Sequence, residues 1–385
     1  MKFQHMFWVS LFVFLFSCRQ ETSAIKDDAS DRECFNLNDS TFTLGHPLGS
    51  IKSDSGQYYD LWESIAYSND PDSQFITGSE KGELEAYIGE EKTKSGEHDI
   101  DGLSAISASS KHKELYYFAP DHPTDNELFV GSFNSNGAFE VKQTIVLEGA
   151  RDDDWEDLTV GKCPNGKGSC VYLSNLGDNG LSSQDRYEVY YFPEPTIKQL
   201  NQNNGQDQAS GVLKLTRQSD GKGYNSFEVE YEDGEGFNSE AIAAYKGKLF
   251  VITKRWKKHR ENLLWEAKIT GDKLSLKKLC QVPVGSGSEW EQVTAMDIKS
   301  DKMLYRTYRK IIEVPFDGSV KAVSGSNEEE LSADTPNQSR SDEKYPECKS
   351  EGGKGYGNPF ACSKGKSAQC AKQNDDYKEI CRIVS

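Results

Sequence analysis

The chain has 385 residues, of which 35% are hydrophobic and 11% aromatic, so it is long enough to bury a sizeable core. Acidic residues outnumber basic ones by 62 to 45, and the net charge of −17 argues against nucleic acid as a partner and against adhesion of the protein surface to anionic lipid. A cation or a basic partner is the more natural ligand.

The first 18 residues have the layout of a bacterial signal peptide. Lys2 precedes an apolar run, Phe7–Phe16, that is too short for a membrane-spanning helix. The segment Leu15-Phe16-Ser17-Cys18 resembles a lipobox, so we expect Cys18 to be acylated and to anchor an outer-membrane lipoprotein of the cell envelope. A plain secretory signal, which would release the protein outside the cell, is the alternative. Residues 19–45, rich in Asp, Ser and Thr, are predicted to form a polar tether.

Apart from Cys18, the chain has eight cysteines, without Cys-x-x-Cys spacing or neighbouring histidines. This pattern disfavours structural zinc and predicts disulfides in an oxidising compartment. Cys163 and Cys170 enclose a turn-forming segment with two glycines, which predicts a hairpin that joins them in a disulfide. Residues 325–344 are predicted to be a disordered linker, and residues 345–385, with four cysteines, a small disulfide-stapled appendage.

A short motif recurs between residues 46 and 324. Each copy has an acid, a spacer, an aliphatic residue and small residues, and a β-type run follows it; the acids are Glu63, Asp101, Glu156, Glu240 and Glu291. Three or four strands per unit, separated by Gly, Asn, Asp and Ser turns, are typical of propeller blades.

The repeat therefore predicts an all-β fold, a five- or six-bladed β-propeller over residues 46–324, followed by the small cysteine-rich C-terminal appendage. The long interval between the third and fourth acids leaves room for a sixth blade, which residues 212–216 and 226–231 would build. A β-sandwich in which the acids coincide by chance is the alternative.

The innermost strand of a propeller blade delivers residues to the mouth of the central channel, so acids in one register should converge there. The predicted metal ligands are Glu63, Asp101, Asp154, Glu156, Asp178, Glu240 and Glu291. Converging carboxylates suit a hard cation, and Ca²⁺ is the expected cofactor. The predicted substrate-binding residues are Asn179, Lys254, Arg255 and Arg306. The basic ones offer a second way to neutralise the clustered carboxylates, without a metal. Turn capping by the acids is a further alternative.

Several segments together resemble a bacterial family of secreted propeller proteins, similar in type to phytase-like and esterase-like propellers. The resemblance rests on Asp154-Trp155-Glu156-Asp157-Leu158, Gly177-Asp178-Asn179, Ser239-Glu240-Ala241-Ile242-Ala243, Thr253-Lys254-Arg255 and Val293-Thr294-Ala295-Met296-Asp297-Ile298. It covers about residues 58–315 and implies the propeller fold. Family members often have a further Gly-Asp where this chain has Ser174-Asn175.

Two functional classes follow from these patterns. The favoured one is a lipid-anchored binding or scaffold protein for a small-molecule or protein ligand, because the sequence contains neither a Gly-x-Ser-x-Gly elbow nor a His-Glu-x-x-His motif. The alternative is a metal-assisted phosphoesterase or ester/lactone hydrolase, in which the cation polarises the scissile group and an acid activates water.

Overall fold

The computed structural model describes residues 32–46, 49–53, 56–121, 123, 126–134, 138–151, 153–178, 186–200, 211–218, 223–254, 261–284 and 289–320, and three strands near the C-terminus. Cys18, Asn179 and Arg255 lie outside these ranges. The chain divides into two compact units, Met1–Ser324 and Gly325–Ser385. None of the described helices is long and apolar enough to span a membrane.

The first unit is almost entirely β. Its N-terminal part has a single-turn 3-10 helix, Leu37–Asp39, and the strands β1 (Phe42–Gly45), β2 (Gly49–Ser53) and β3 (Gly56–Asp60). Blade one consists of β4 (Trp62–Tyr67), β5 (Phe75–Ser79), β6 (Glu83–Ile88) and β7 (Glu91–Glu97). Blade two begins with β8 (Leu103–Ala108), β9 (Tyr116–Pro120), β10 (Glu127–Phe133) and β11 (Phe139–Glu148).

The remaining elements of this unit form three further blades and two additional strands. Blade three has β12 (Trp155–Lys162), β13 (Ser169–Asn175) and β14 (Glu188–Pro193), followed by α1 (Ile197–Leu200), β15 (Gly211–Thr216) and β16 (Asn225–Tyr231). Blade four has β17 (Ser239–Tyr245), β18 (Lys248–Thr253), β19 (Leu263–Thr270) and β20 (Lys273–Gln281). After the 3-10 turn Glu289–Glu291, blade five has β21 (Val293–Lys299), β22 (Lys302–Thr307) and β23 (Lys310–Pro315).

The innermost strands β4, β8, β12, β17 and β21 form a closed ring, since each contacts the next and β21 contacts β4. The core consists of five apolar clusters, one at each interface between neighbouring blades. The inner strands are buried on both faces, which explains their small and aliphatic residues, as in the Leu-Ser-Ala-Ile-Ser-Ala sequence of β8. The described part of the first unit is therefore a β-propeller with five blades.

The residues predicted to form a sixth blade extend other blades instead. β15 pairs in parallel with β11 as a fifth strand of blade two. β16 pairs antiparallel with β14 as the outer strand of blade three, and in parallel with β20 of blade four. The long interval between Glu156 and Glu240 thus holds an additional strand of blade two and not an additional blade.

The ring is closed by residues from the segment predicted to be a tether. β1 pairs antiparallel with β23 as the outer strand of blade five. Cys34 forms a disulfide with Cys280, and the buried Phe35 packs edge-on against Phe316. The tether predicted for residues 19–45 therefore does not extend over residues 32–45, because a few apolar residues in a polar segment are enough to dock it.

A second disulfide joins Cys163 to Cys170 across the β12–β13 turn, as the sequence predicts. Gly166 and Gly168, within that turn, both have positive φ angles, which glycine adopts without steric cost.

The second unit contains a three-stranded antiparallel sheet of β24 (Phe360–Cys362), β25 (Lys366–Ala371) and β26 (Ile380–Ile383). Cys370 lies opposite Cys381 in its register. The side chains of these strands, and with them the predicted disulfides of the tail, lie outside the described residues.

Replacing Cys34 and Cys280 together by serine should strongly lower the free energy of unfolding. The bond spans 246 residues, and chain entropy alone assigns a closed loop of that size about 5 kcal/mol. Equilibrium unfolding in denaturant measures the loss. The control is the double substitution Cys163→Ser with Cys170→Ser, whose bond spans only 7 residues and should cost about 3 kcal/mol less. Equal losses in the two variants would contradict the role of the longer bond in holding the ring closed.

Candidate cation site at the channel mouth

The strand register identifies the equivalent inner-strand residues of the five blades. In each blade the pairing of the first two strands is interrupted just after the inner strand begins. The first residues at this interruption are Glu63, Ser104, Glu156, Glu240 and Thr294, and in blade three the interruption also includes Asp157. A residue in such a bulge is released from the ladder, so its side chain can be aimed at the channel mouth.

A second set of equivalent residues directly follows the second strand of a blade. The backbone N–H groups of Glu80, Asp121 and Lys254 donate to the carbonyl oxygens that precede the inner strands of their own blades, at 2.9, 2.7 and 2.7 Å. Tyr308 occupies the same position after β22. In blade three the corresponding hydrogen bond, at 3.2 Å, comes from Gly177 to Asp154.

Three of the acids in this region converge closely. Asp121, Asp154 and Glu156 offer carboxylate oxygens that all lie within 4.8 Å of one another. Asp154 and Glu156 are 6% and 3% exposed. Oxygen atoms at such distances, on elements from two blades, are the ligand type that Ca²⁺ takes in protein sites.

The residues equivalent to Glu156 in two other blades carry hydroxyl groups. Ser104 donates its Oγ hydrogen to Glu156 Oε2 at 3.5 Å. Thr294, the equivalent residue in blade five, is fully buried, and its Oγ1 has no hydrogen-bond partner among the described residues. A buried hydroxyl normally has a partner, so Thr294 has the capacity for one further hydrogen bond.

Gly177 lies directly beside two of the acids. A Cβ atom at this position would lie 2.1 Å from Glu156 Oε1 and 2.4 Å from Asp154 Cγ. Glycine is therefore required here for the close approach of both carboxylates.

One lysine lies among the acids. Lys254 Nζ is 2.8 Å from Glu240 Oε1 and 5.2 Å from the centre of the Tyr308 ring. Both partners of this ion pair are buried. Because a buried ion pair must offset the desolvation of both charges, Lys254 is committed to Glu240 and compensates one acid of the group.

Burial and neighbouring negative charge favour the protonated forms of three of these acids. Burial first, and then the charge of Asp154, raises the pKa of Asp121 to about 8. Burial, followed by Glu80, raises the pKa of Glu63 well above its usual value, and burial with Glu240 does the same for Glu156. A cation that binds here must displace protons, which couples its affinity to pH.

Two of the predicted ligands do not join this group. Asp101 is exposed and forms a surface ion pair with Lys81 at 3.2 Å. Glu291 is buried but pairs with Lys310. Both acids stand three positions before the residue that is equivalent to Glu63, so alignment on the acids placed these two copies in the wrong register.

The other predicted residues have separate surroundings. Asp178 is buried, and its carboxylate accepts a hydrogen bond from Tyr187. Arg306 is buried, donates to Thr77, and lies 5.7 Å from the centre of the Trp62 ring. Of the four predicted substrate-binding residues, Lys254 thus lies in the acidic group, whereas Arg306, on β22 of blade five, packs against blade one.

Glu80 and Asp121 are the acids that the sequence analysis missed. Each directly follows a second strand, in the same position as Lys254, which is one of the predicted substrate-binding residues. The acidic motif does not contain these two residues. They can be identified in the sequence by comparing the residues that directly follow the second strands.

Comparisons with known proteins add no functional information. The sequence matches no protein-family model and no curated protein. Among solved structures, a glutaminyl cyclase from Myxococcus xanthus is 10% identical with a TM-score of 0.40, over 71% of this chain and 95% of that chain. A glucose dehydrogenase is 12% identical with a TM-score of 0.36, over 71% of this chain and 98% of that chain. These similarities are too distant to assign an activity, and the blade count rests on the strand pairing described above.

Without divalent cations, the protein should lose stability as the pH rises from roughly 4 to 8. The pKa of Asp121 is about 8 in the folded state against 3.8 for the free side chain, so its contribution is complete below the lower value and is lost as the pH passes the higher one. Thermal unfolding in chelator across this range tests the slope. Asp121→Asn should flatten it and Asp101→Asn should not, whereas identical slopes in the two variants would show that Asp121 is not the titrating group.

Proposed function

We propose that this protein is an envelope-anchored binding propeller that holds a divalent cation, Ca²⁺ by preference, at its channel mouth and uses the filled site to bind a small-molecule or protein ligand. The observation that carries the proposal is the convergence of Asp121, Asp154 and Glu156, whose oxygens lie within 4.8 Å of one another.

The donor set supports a hard cation. All three residues offer carboxylate oxygens, and Glu63, Glu80 and Glu240 add negative charge around them. Lys254 forms an ion pair with Glu240. Clustered carboxylates repel one another strongly when buried, and a bound cation relieves that repulsion more completely than retained protons do.

The geometry of the mouth favours Ca²⁺ over Mg²⁺. Ca²⁺ accepts six to eight oxygens in variable arrangements, whereas Mg²⁺ requires a near-ideal octahedron and keeps several waters. The carboxylates here come from blades two and three, and Gly177 lets Asp154 and Glu156 approach the backbone closely. The unpartnered hydroxyl of Thr294 is a further oxygen at the same register.

Ca²⁺ should raise the melting temperature of the protein, and chelator should reverse the shift, because a ligand that binds only the folded state stabilises it by mass action. Glu156→Gln should remove most of the shift, since it keeps the shape of the side chain and deletes its charge. Differential scanning calorimetry with and without millimolar Ca²⁺ measures the effect, and isothermal titration calorimetry gives the stoichiometry.

Two variants sharpen this experiment. Gly177→Ala should also abolish the response, because the added methyl group would contact Glu156 and Asp154 at 2.1 to 2.5 Å. Asp101→Asn removes an equal charge from an exposed site and should respond like the wild type. An undiminished Ca²⁺ response in Glu156→Gln would mean that the cation binds elsewhere. The absence of any response in the wild type would contradict the proposal.

A metal-assisted phosphoesterase or ester/lactone hydrolase is the second candidate, and one observation favours it. Because burial and Asp154 raise the pKa of Asp121 to about 8, this carboxyl group is poised to exchange a proton near neutral pH, as a general acid or base requires. Hydrolysis of p-nitrophenyl phosphate and p-nitrophenyl acetate in the presence of Ca²⁺ tests the idea. Activity that disappears in Asp121→Asn would favour the enzyme, and the absence of turnover would favour the binding protein.

Anchoring through Cys18 is also part of the proposal, and it rests on the lipobox-like segment that ends at this residue. Cys18→Ser should move the protein from the membrane fraction to the soluble fraction, since an acylated cysteine would be its main apolar anchor. Fractionation of cells expressing the full chain, followed by immunoblotting, measures the distribution. Unchanged membrane retention of the variant would contradict acylation at this position.

A further inference from the structure

A groove lies between blades three and four, at the opposite end of their inner strands from the acidic mouth. It has a volume of about 890 Å³ and is lined by the β12–β13 and β17–β18 turns and by the ends of β19 and β20. Glu156 and Lys162 mark the two ends of β12, and six residues of extended strand separate them by about 20 Å. The groove is thus remote from the candidate cation site.

The groove is basic, although the chain is acidic overall. Five lysines and two glutamates line it, against a net charge of −17 for the whole chain. Lys248 pairs with Glu266 at 2.7 Å, and Lys246 pairs with Asp301 at 2.8 Å.

Three lysines of the groove have no ion-pair partner within the described ranges: Lys162, Lys268 and Lys277. All three are exposed. The second acid of the lining, Glu232, accepts the backbone N–H of Lys278 at 2.8 Å. These three lysines therefore line the groove without an ion pair to the described part of the protein.

Apolar groups separate the lysines. Ile269, at its edge, is 36% exposed, one of few large apolar side chains on the described surface, and Leu279 is half-buried, whereas Tyr172 and Leu276 of the lining are buried. The groove thus combines two partly exposed apolar side chains with positive charge that is spread over several elements.

We propose that this groove binds a short acidic peptide segment of a partner protein, with carboxylates on the three free lysines and apolar side chains on the surface between them. A volume of this size matches a ligand much larger than a single inorganic anion. Among the described residues of the lining there is no arginine, the residue whose planar fork suits bidentate phosphate recognition. A long polyanion such as nucleic acid would meet the negative charge of the rest of the surface, whereas a short segment contacts the groove alone.

The test is a fluorescence-polarisation titration of the full-length protein with a fluorescein-labelled peptide of about eight residues, alternating Glu or Asp with Leu, at low salt. The same peptide with Gln and Asn in place of the acids is the ligand control. Titrations in chelator separate this site from the cation site, so failure of either proposal leaves the other measurable.

The key variant combines Lys162→Glu, Lys268→Glu and Lys277→Glu. Its matched control combines Lys113→Glu, Lys142→Glu and Lys198→Glu, which changes the net charge equally at exposed positions outside the groove. Reversal of the groove lysines should weaken binding of the acidic peptide about tenfold or more, while the control stays within about twofold of the wild type.

Three results would overturn the proposal. Equal weakening in both triple variants would mean that only the net charge matters. Equal affinity for the acidic and neutral peptides would mean that the lysines do not recognise carboxylates. Self-association of the wild type in sedimentation velocity, lost in the groove variant, would make a second copy of this chain the occupant.

Discussion

The pairing of β1 with β23 is the interaction on which the rest of the structure depends, because it closes the ring of blades with a strand from the other end of the propeller. Phe42 of β1 joins the apolar cluster between blades five and one. His46, directly after β1, adds a polar contact to blade one, with Nε2 2.9 Å from Glu85 Oε2 and 3.2 Å from Tyr87 OH. Only a closed ring brings acids from blades one, two, three and four to one mouth.

Within the ring, neighbouring inner strands share no hydrogen-bond ladder, so side chains satisfy some of their amides. Asp157 accepts hydrogen bonds from the N–H groups of Ile242 at 3.0 Å and Met296 at 3.4 Å, and so bridges three blades. Burial raises the pKa of Asp157, and these amides oppose the shift. The adjacent Glu156 has carboxylates and a serine hydroxyl around it instead. Adjacent acids therefore have different roles, one structural and one suited to a ligand.

The propeller could be predicted from the sequence because each blade is largely a local unit, a run of short strands such as β4 to β7 separated by turn residues. β1 and β15 could not be placed in this way, since each pairs with a strand far away in the sequence and carries no local signal of its partner. The cation site was predicted only in part, because its register also depends on strand pairing. Glu63, Glu156 and Glu240 follow from the motif, but a shift of three residues separates Asp101 from the true register, and only the ladder reveals it.

The equivalent positions after the second strands have a consequence for how such a protein can diversify. The residue at this position is an acid in two blades, a base in one and an aromatic residue in another: Glu80, Asp121, Lys254 and Tyr308. None of them belongs to the apolar clusters between the blades. The scaffold therefore separates the residues that hold it together from those that set the polarity of its mouth, and exchange of one side chain per blade can redirect recognition while the fold is retained.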